Sequence, residues 1–423
     1  MLDRTIAPGS MAIDELTLIR PKEIRLENGC RIFTFNAGGQ ELVRLEWIFT
    51  NLGFNPYKPL SNVTVNTLLT EGTKKRTAAQ IAAEIDFYGA FLQVEHTADY
   101  SQVTLYTLNK HLKATLPVLK DILTKSVFPE KEIQTFVRNQ QQKLQVHLQK
   151  NDVVARRNFN QALYNSTIYG YAAEAEDYTK IQQADLLLHF KQQYQPANCT
   201  IIIAGKVDED ILNMVSDTFS DWQNRITANF MQSFITKANG ELLFIEKPDA
   251  LQSAIRLGIS TINRTHPDFP GLQVLNTVLG GYFSSRLMTN IREDKGYTYG
   301  IGSAIISHKN TGTFFIATEV GAAVCREALQ EIEKEINLLK TVSIPDEELS
   351  LVRNYMMGSL LGSLENIFSH ADKFKNIYFS NMDYAYYDLY VKTVKSITSE
   401  ELKTLANQYF DFEGFVKVIV GKY

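Results

Sequence analysis

Cysteine is scarce in this chain, and Cys30, Cys199 and Cys325 lie too far apart to form a close redox or metal-binding pair. That excludes a disulfide framework and fits a reducing compartment. No run of about eighteen apolar residues occurs, so no transmembrane helix is expected. The first ten residues also lack the apolar stretch of a secretory signal. Neither sign of charge dominates: 43 Lys and Arg against 47 Asp and Glu leave a net charge of −4, with no bulk attraction toward nucleic acid or anionic lipid. A soluble, cytoplasmic protein that binds neither nucleic acid nor membrane is expected. Two local absences matter more. The seven histidines contain no pair spaced i, i+4, and no Asp or Glu interrupts the chain from Ile133 to Asn151.

What is present indicates a well-packed globular protein: 423 residues, 44% of them apolar and 11% aromatic, enough for two or three domains. The chain also echoes itself. Ile201 to Gly205 followed by Lys206 reads as a buried strand ending in Gly-Lys, and Val418 to Lys422 repeats it 216 residues later. Pro129-Glu130-Lys131-Glu132-Ile133 with Val137-Arg138-Asn139 is echoed by Pro345-Asp346-Glu347-Glu348-Leu349 with Val352-Arg353-Asn354, again 216 residues on. Two echoes at one spacing imply two homologous halves, with a period too long for a solenoid.

Each half begins with strands and finishes with helices. Alternating apolar residues predict strands over Glu23 to Leu26, Arg31 to Phe35, Leu42 to Phe49 and Val103 to Tyr106. The second half matches, with strands near Ala254 to Ile259, Tyr297 to Ile306 and Thr313 to Thr318 and helices near Cys325 to Leu339 and Asp346 to Leu361. Pro129 and the acids after it mark a helix start. Segregated strands and helices predict an α+β architecture. The Asn- and Gln-rich stretch 222–240 reads as a linker between an N-terminal domain, 1–221, and a C-terminal one, 241–423.

Two segments carry chemistry or its remains. Leu60 to Thr73 ends in Glu71-Gly72-Thr73, and Ser284-Ser285-Arg286-Leu287 leads to Arg292-Glu293-Asp294-Lys295-Gly296-Tyr297-Thr298-Tyr299. Residues 286–295 form an apolar-faced helix with Gly296 as its stop, so Arg292 and Tyr299 should meet across the turn. With these landmarks, over nearly its whole length, the chain resembles the insulinase or pitrilysin-type zinc peptidases, which include mitochondrial processing peptidase. The resemblance implies two α/β halves, each a mostly antiparallel sheet covered by helices, arranged as a clamshell around a chamber.

Active relatives carry His-x-x-Glu-His on a helix, two imidazoles for one zinc and a glutamate as general base. Counted back from Glu71-Gly72-Thr73, those positions are Val63, Asn66 and Thr67. Valine has no donor atom, threonine is a poor zinc ligand, and the asparagine amide cannot take a proton from water. The family's third ligand, a glutamate, falls near Lys143 to Gln145, within the acid-free stretch. No zinc is therefore expected in this chain. The resemblance gives Arg292 and Tyr299 the transition-state role, the guanidinium on a substrate carbonyl and the phenol on the oxyanion. A non-zinc subunit follows, paired with a homologous zinc-bearing subunit and acting on a peptide or unfolded polypeptide. A catalytically inert scaffold or peptide-binding member is the alternative. Gly280-Gly281 is expected as a tight turn, Lys74-Lys75-Arg76 as a solvated turn, Phe91 to Glu95 as a packed edge strand, and Tyr384 to Tyr390 as a helix face on the core or a partner.

Overall fold

A computed structural model of the chain describes residues 16–165, 167–224 and 240–423. Most of the expected linker, 225–239, lies outside the described residues.

Two sheets carry the fold. The first is built from β1 (Lys22–Arg25), β2 (Arg31–Asn36), β3 (Leu42–Thr50), β4 (Phe91–His96), β5 (Tyr100–Leu108) and β6 (Cys199–Gly205), in the order β1-β2-β6-β3-β5-β4. The second comprises β7 (Leu242–Glu246), β8 (Gln252–Thr261), β9 (Thr298–Ser307), β10 (Gly312–Gly321) and β11 (Val416–Gly421), in the order β7-β11-β8-β10-β9. Each is antiparallel except where its last strand inserts parallel to its first neighbour, β6 beside β2 and β11 beside β7. The expected α+β class and the two related halves are both present.

The sequence echoes have physical causes. Gly205 and Gly421 end β6 and β11 at φ values of +131° and +137°, a region L side chains avoid. A Cβ on Gly205 would stand 2.2 Å from Leu42 O, and one on Gly421 2.6 Å from Ser253 Oγ. Pro129 and Pro345 precede the helices Glu130–His147 and Asp346–Gly362 with nearly the same backbone, φ −58° for both and ψ 139° and 143°.

A third pair of elements at the same spacing, the helices Asn151–Tyr164 and Ile367–Tyr378, exchanges between the halves. Ala155, Phe159 and Leu163 of the first pack on Val416, Val418 and Val420 of the second sheet. Ile367, Ala371 and Phe374 pack on Phe33, Phe35, Ile202 and Ala204 of the first. Strand β6 is thereby buried on both faces, Ile201 and Ile203 against helices of its own half and Ile202 and Ala204 against the borrowed one. This is why it reads as a continuous apolar run rather than an alternation.

Charge fastens the exchange. Arg44 of β3 reaches Asp372 at 2.9 and 3.2 Å and the Phe368 carbonyl at 3.1 Å, while Lys375 reaches Glu46 at 2.6 Å.

Candidate functional site

The first candidate segment is a helix, Ser61–Thr67, despite four β-branched residues in its seven. Burial of Val65, together with Leu68 and Leu69 just beyond the helix, in the core of the first half outweighs their weak strand preference. Asn66, at the general-base position, is 1% exposed and donates to Tyr194 Oη at 3.3 Å and Gln102 O at 3.5 Å. Burial pushes the Tyr194 phenol well above its ordinary range.

Around it lies a neutral polar network that the sequence did not reveal. His189 Nε2 stands 2.8 Å from Asn62 Oδ1 and 2.7 Å from Gln193 Oε1, and Gln193 Nε2 donates to Asn51 Oδ1 at 3.0 Å. Asn51 Oδ1 also accepts from Ser101 Oγ at 2.7 Å, and Ser101 Oγ lies 3.4 Å from His96 Nδ1. Burial pushes both imidazoles down to about 4; His189 lowers His96 further by repulsion, while the Gln193 bond partly offsets the loss at His189. The donor set of Val63, Asn66 and Thr67 does not fit zinc. These side chains offer one amide already committed to protein partners, one hydroxyl and an isopropyl group. Lys143 and Gln145 are exposed near the end of the helix Glu130–His147.

Glu71-Gly72-Thr73 keeps a structural role. Gly72 sits at φ +145°, where a Cβ would meet Pro129 at 3.0 Å, and Thr73 Oγ1 donates to Asp121 Oδ2 at 2.5 Å. The neighbouring cationic turn is solvated only at Lys74 and Lys75, because Arg76 pairs with Glu84 and Asp121 at 3.0 Å each. Phe91 to Glu95 belongs to β4, the edge strand of the first sheet.

The second segment is arranged differently. From Arg286 the chain turns helically and then widens into a π-helix, Met288–Asp294, with Met288 and Ile291 in the core of the second half. Gly296, at φ +65°, turns it back, and Tyr297 N donates to Ile291 O at 3.0 Å. Gly280-Gly281 is not a free tight turn. It ends a π-helix, Thr277–Gly281, and a Cβ on Gly280 would stand 2.7 Å from Ser303 N, so glycine is required by the close approach of β9.

Strand β9 then bulges. Thr298 pairs with Val320 and Ile301 with Thr318, leaving Tyr299 and Gly300 opposite Glu319 alone. The kink is held by Thr298 Oγ1, which donates to Glu319 O at 2.6 Å, and by Thr318 Oγ1, which donates to Gly300 O at 3.0 Å. Such bulges redirect side chains at sheet edges, and β9 is the edge strand of its sheet. The outcome separates two tyrosines that strand alternation would put on one face. Tyr297 packs on the core, whereas Tyr299 is 92% exposed.

Arg292 and Tyr299 are brought together as expected, the guanidinium 5.9 Å from the Tyr299 ring centre and 4.7 Å from that of Phe283. Phe283 is itself 64% exposed, and sequence reasoning missed it although it immediately precedes the segment quoted for the resemblance. Arg286 is bound bidentately by Glu348 at 2.7 and 2.8 Å. Arg292 makes no hydrogen bond among the described residues, and its ion contact is Glu293 at 3.9 Å. Arg286 is thus committed to a close ion pair, whereas Arg292 has only the long contact to Glu293 and its two ring contacts.

The description "Insulinase (Peptidase family M16)" belongs to a family model that matches residues 64–175, and "Peptidase M16 inactive domain" to one that matches 180–356. The chain belongs to the M16 peptidase family. It is 25% identical over 406 residues to an uncharacterized zinc protease of Rickettsia felis, covering 91% of this chain and 94% of that one. To the uncharacterized zinc protease YmxG of Bacillus subtilis it is 27% identical over 302 residues, 70% of this chain and 72% of the relative. Among solved structures, an M16 inactive domain from Pseudomonas fluorescens matches this M16 chain with TM-score 0.86 at 20% identity, over 95% of this chain and 98% of that one. A protease from Helicobacter pylori matches with TM-score 0.87 at 17% identity, over 96% and 100%. No helix among the described residues is long and apolar enough to cross a membrane.

Proposed function

We propose that this M16 chain is the non-zinc subunit of a two-chain metallopeptidase and that its second half completes the partner's site. The zinc and the general base are supplied by a homologous partner subunit carrying His-x-x-Glu-His. Arg292 grips a carbonyl of the peptide substrate, and Tyr299 donates its phenolic proton in a hydrogen bond to the oxyanion as the scissile carbon becomes tetrahedral. The observation carrying this reading is the exposure of Tyr299 on a hydrogen-bonded bulge beside an arginine without a committed carboxylate. A tyrosine kept for packing would be buried, as Tyr297 partly is.

The test is Tyr299→Phe in the reconstituted pair. Loss of one oxyanion donor is expected to lower kcat about 100-fold, corresponding to about 3 kcal/mol of barrier. Unchanged turnover would leave this chain a scaffold for its partner.

A further inference from the structure

An open cleft of about 370 Å³ in the second half, lined by neither Arg292 nor Tyr299, is walled by Tyr355, Tyr386, Tyr387 and Tyr390. Two cations line it, Arg264 and Lys373, and no aspartate or glutamate does among the described residues. The adjacent acid, Asp372, is taken by Arg44 and Lys375 at 2.9 and 3.1 Å. Arg264 is held by Nε to Ser307 Oγ at 3.3 Å and Nη1 to Asn376 O at 3.0 Å, which leaves its Nη2 without a hydrogen bond among the described residues. Lys373 Nζ has no hydrogen bond or ion pair among the described residues, and burial together with repulsion from Arg264 disfavours its charged form despite the pull of Asp372.

Two half-buried cations sharing a cleft that contains no acid repel one another, and an anion placed between them removes that cost. The tyrosine walls suit an organic anion rather than a bare ion. We infer that this cleft binds the terminal carboxylate of a peptide, with Arg264 and Lys373 as its counterions. Ile305 of β9 lines the cleft. Tyr299 lies six residues earlier on the same strand, roughly 20 Å away at the strand rise. Where the proposed function holds, the cleft anchors the carboxyl end of a substrate about six extended residues beyond the bond that is cut.

The test needs this chain alone. Fluorescence anisotropy compares a labelled decapeptide ending in leucine as the free acid with the same peptide as its C-terminal amide. The free acid is expected to bind about tenfold or more tightly, the usual weight of a charge-assisted bond. Lys373→Met should erase most of that preference, and Lys373→Arg should keep it. Equal binding of acid and amide, no binding of either, or a preference that survives Lys373→Met would overturn the inference. Inorganic phosphate binding as tightly as the free-acid peptide would overturn it as well, in favour of a small free anion. No zinc-bearing partner takes part, so failure here is separate from failure of the Arg292 and Tyr299 role in the pair.

Discussion

Arg292 stands with its guanidinium 5.9 Å from the ring centre of Tyr299, held there by a glycine-capped π-helix on one side and a β-bulge on the other. The pair depends on that bulge as much as on its own side chains. Thr318→Val removes the hydroxyl that donates to Gly300 O at 3.0 Å and stands 3.0 Å from Thr298 Oγ1. Stability should fall by only about 1 kcal/mol, while kcat of the reconstituted pair falls much further than that loss would explain. Steady-state kinetics beside a denaturant titration measures both.

Arg292→Gln should act mainly on KM if the guanidinium holds the substrate equally in ground and transition states. Tyr299→Phe should act on kcat. A reversed pattern in steady-state kinetics would exchange the two roles.

The zinc position cannot be revived by restoring one residue. Asn66→Glu would bury a carboxyl against Tyr194, which is fully buried. A cost of roughly 2–4 kcal/mol is expected, with no gain of stoichiometric zinc; thermal denaturation and metal analysis of the variant check both.

Stability should also depend on acid. His96 and His189 have folded values pushed down to about 4 by burial, against about 6.5 for an unfolded histidine. Between those values the unfolded chain binds more protons, so stability is full above about pH 6.5 and declines toward pH 4, by roughly 3 kcal/mol for one such group. His189→Gln should flatten the dependence in denaturant titrations across that range. Asp372 acts lower. Burial opposes its charged form, but the bonds to Arg44 and Lys375 prevail and hold its carboxyl below the ordinary value. Its contribution is present above the unfolded carboxylate pKa and is lost as pH falls through the folded one.

The same clamp makes the exchanged helices testable. Glu46 is 1% exposed and sits 2.9 Å from Arg44. Arg44→Met leaves that carboxylate with Lys375 alone among its cations and should destabilise the whole chain by about 3 kcal/mol. A single transition in calorimetry, shifted down for both halves together, is the expected result.

Much of the fold was legible because the strands obey their period and the halves repeat. The expected strand at Leu42 to Phe49 is β3 with one more residue, and Cys325 to Leu339 is a helix ending two residues later, at Thr341. The exchange of Asn151–Tyr164 and Ile367–Tyr378 was not legible, since an amphipathic stripe shows that a helix packs and not which sheet receives it. The exposure of Tyr299 was not legible either, because alternation assumes an unbroken ladder and the bulge inserts one residue opposite Glu319. That Val63, Asn66 and Thr67 offer no donor set suited to zinc was legible from their side-chain chemistry alone. The network of Asn62, His189 and Gln193 was hidden by a sequence separation of more than 120 residues. The partner of Arg286 was hidden in the same way, 62 residues downstream at Glu348.

The most direct measurement is peptide hydrolysis by the homogeneous chain, alone and titrated with a homologous chain that carries His-x-x-Glu-His. The account expects no chelator-sensitive turnover from this chain alone, turnover that saturates at one copy of each, and its loss with Tyr299→Phe. Robust chelator-sensitive proteolysis by the isolated chain, or full activity of the zinc-bearing chain without it, would contradict the account.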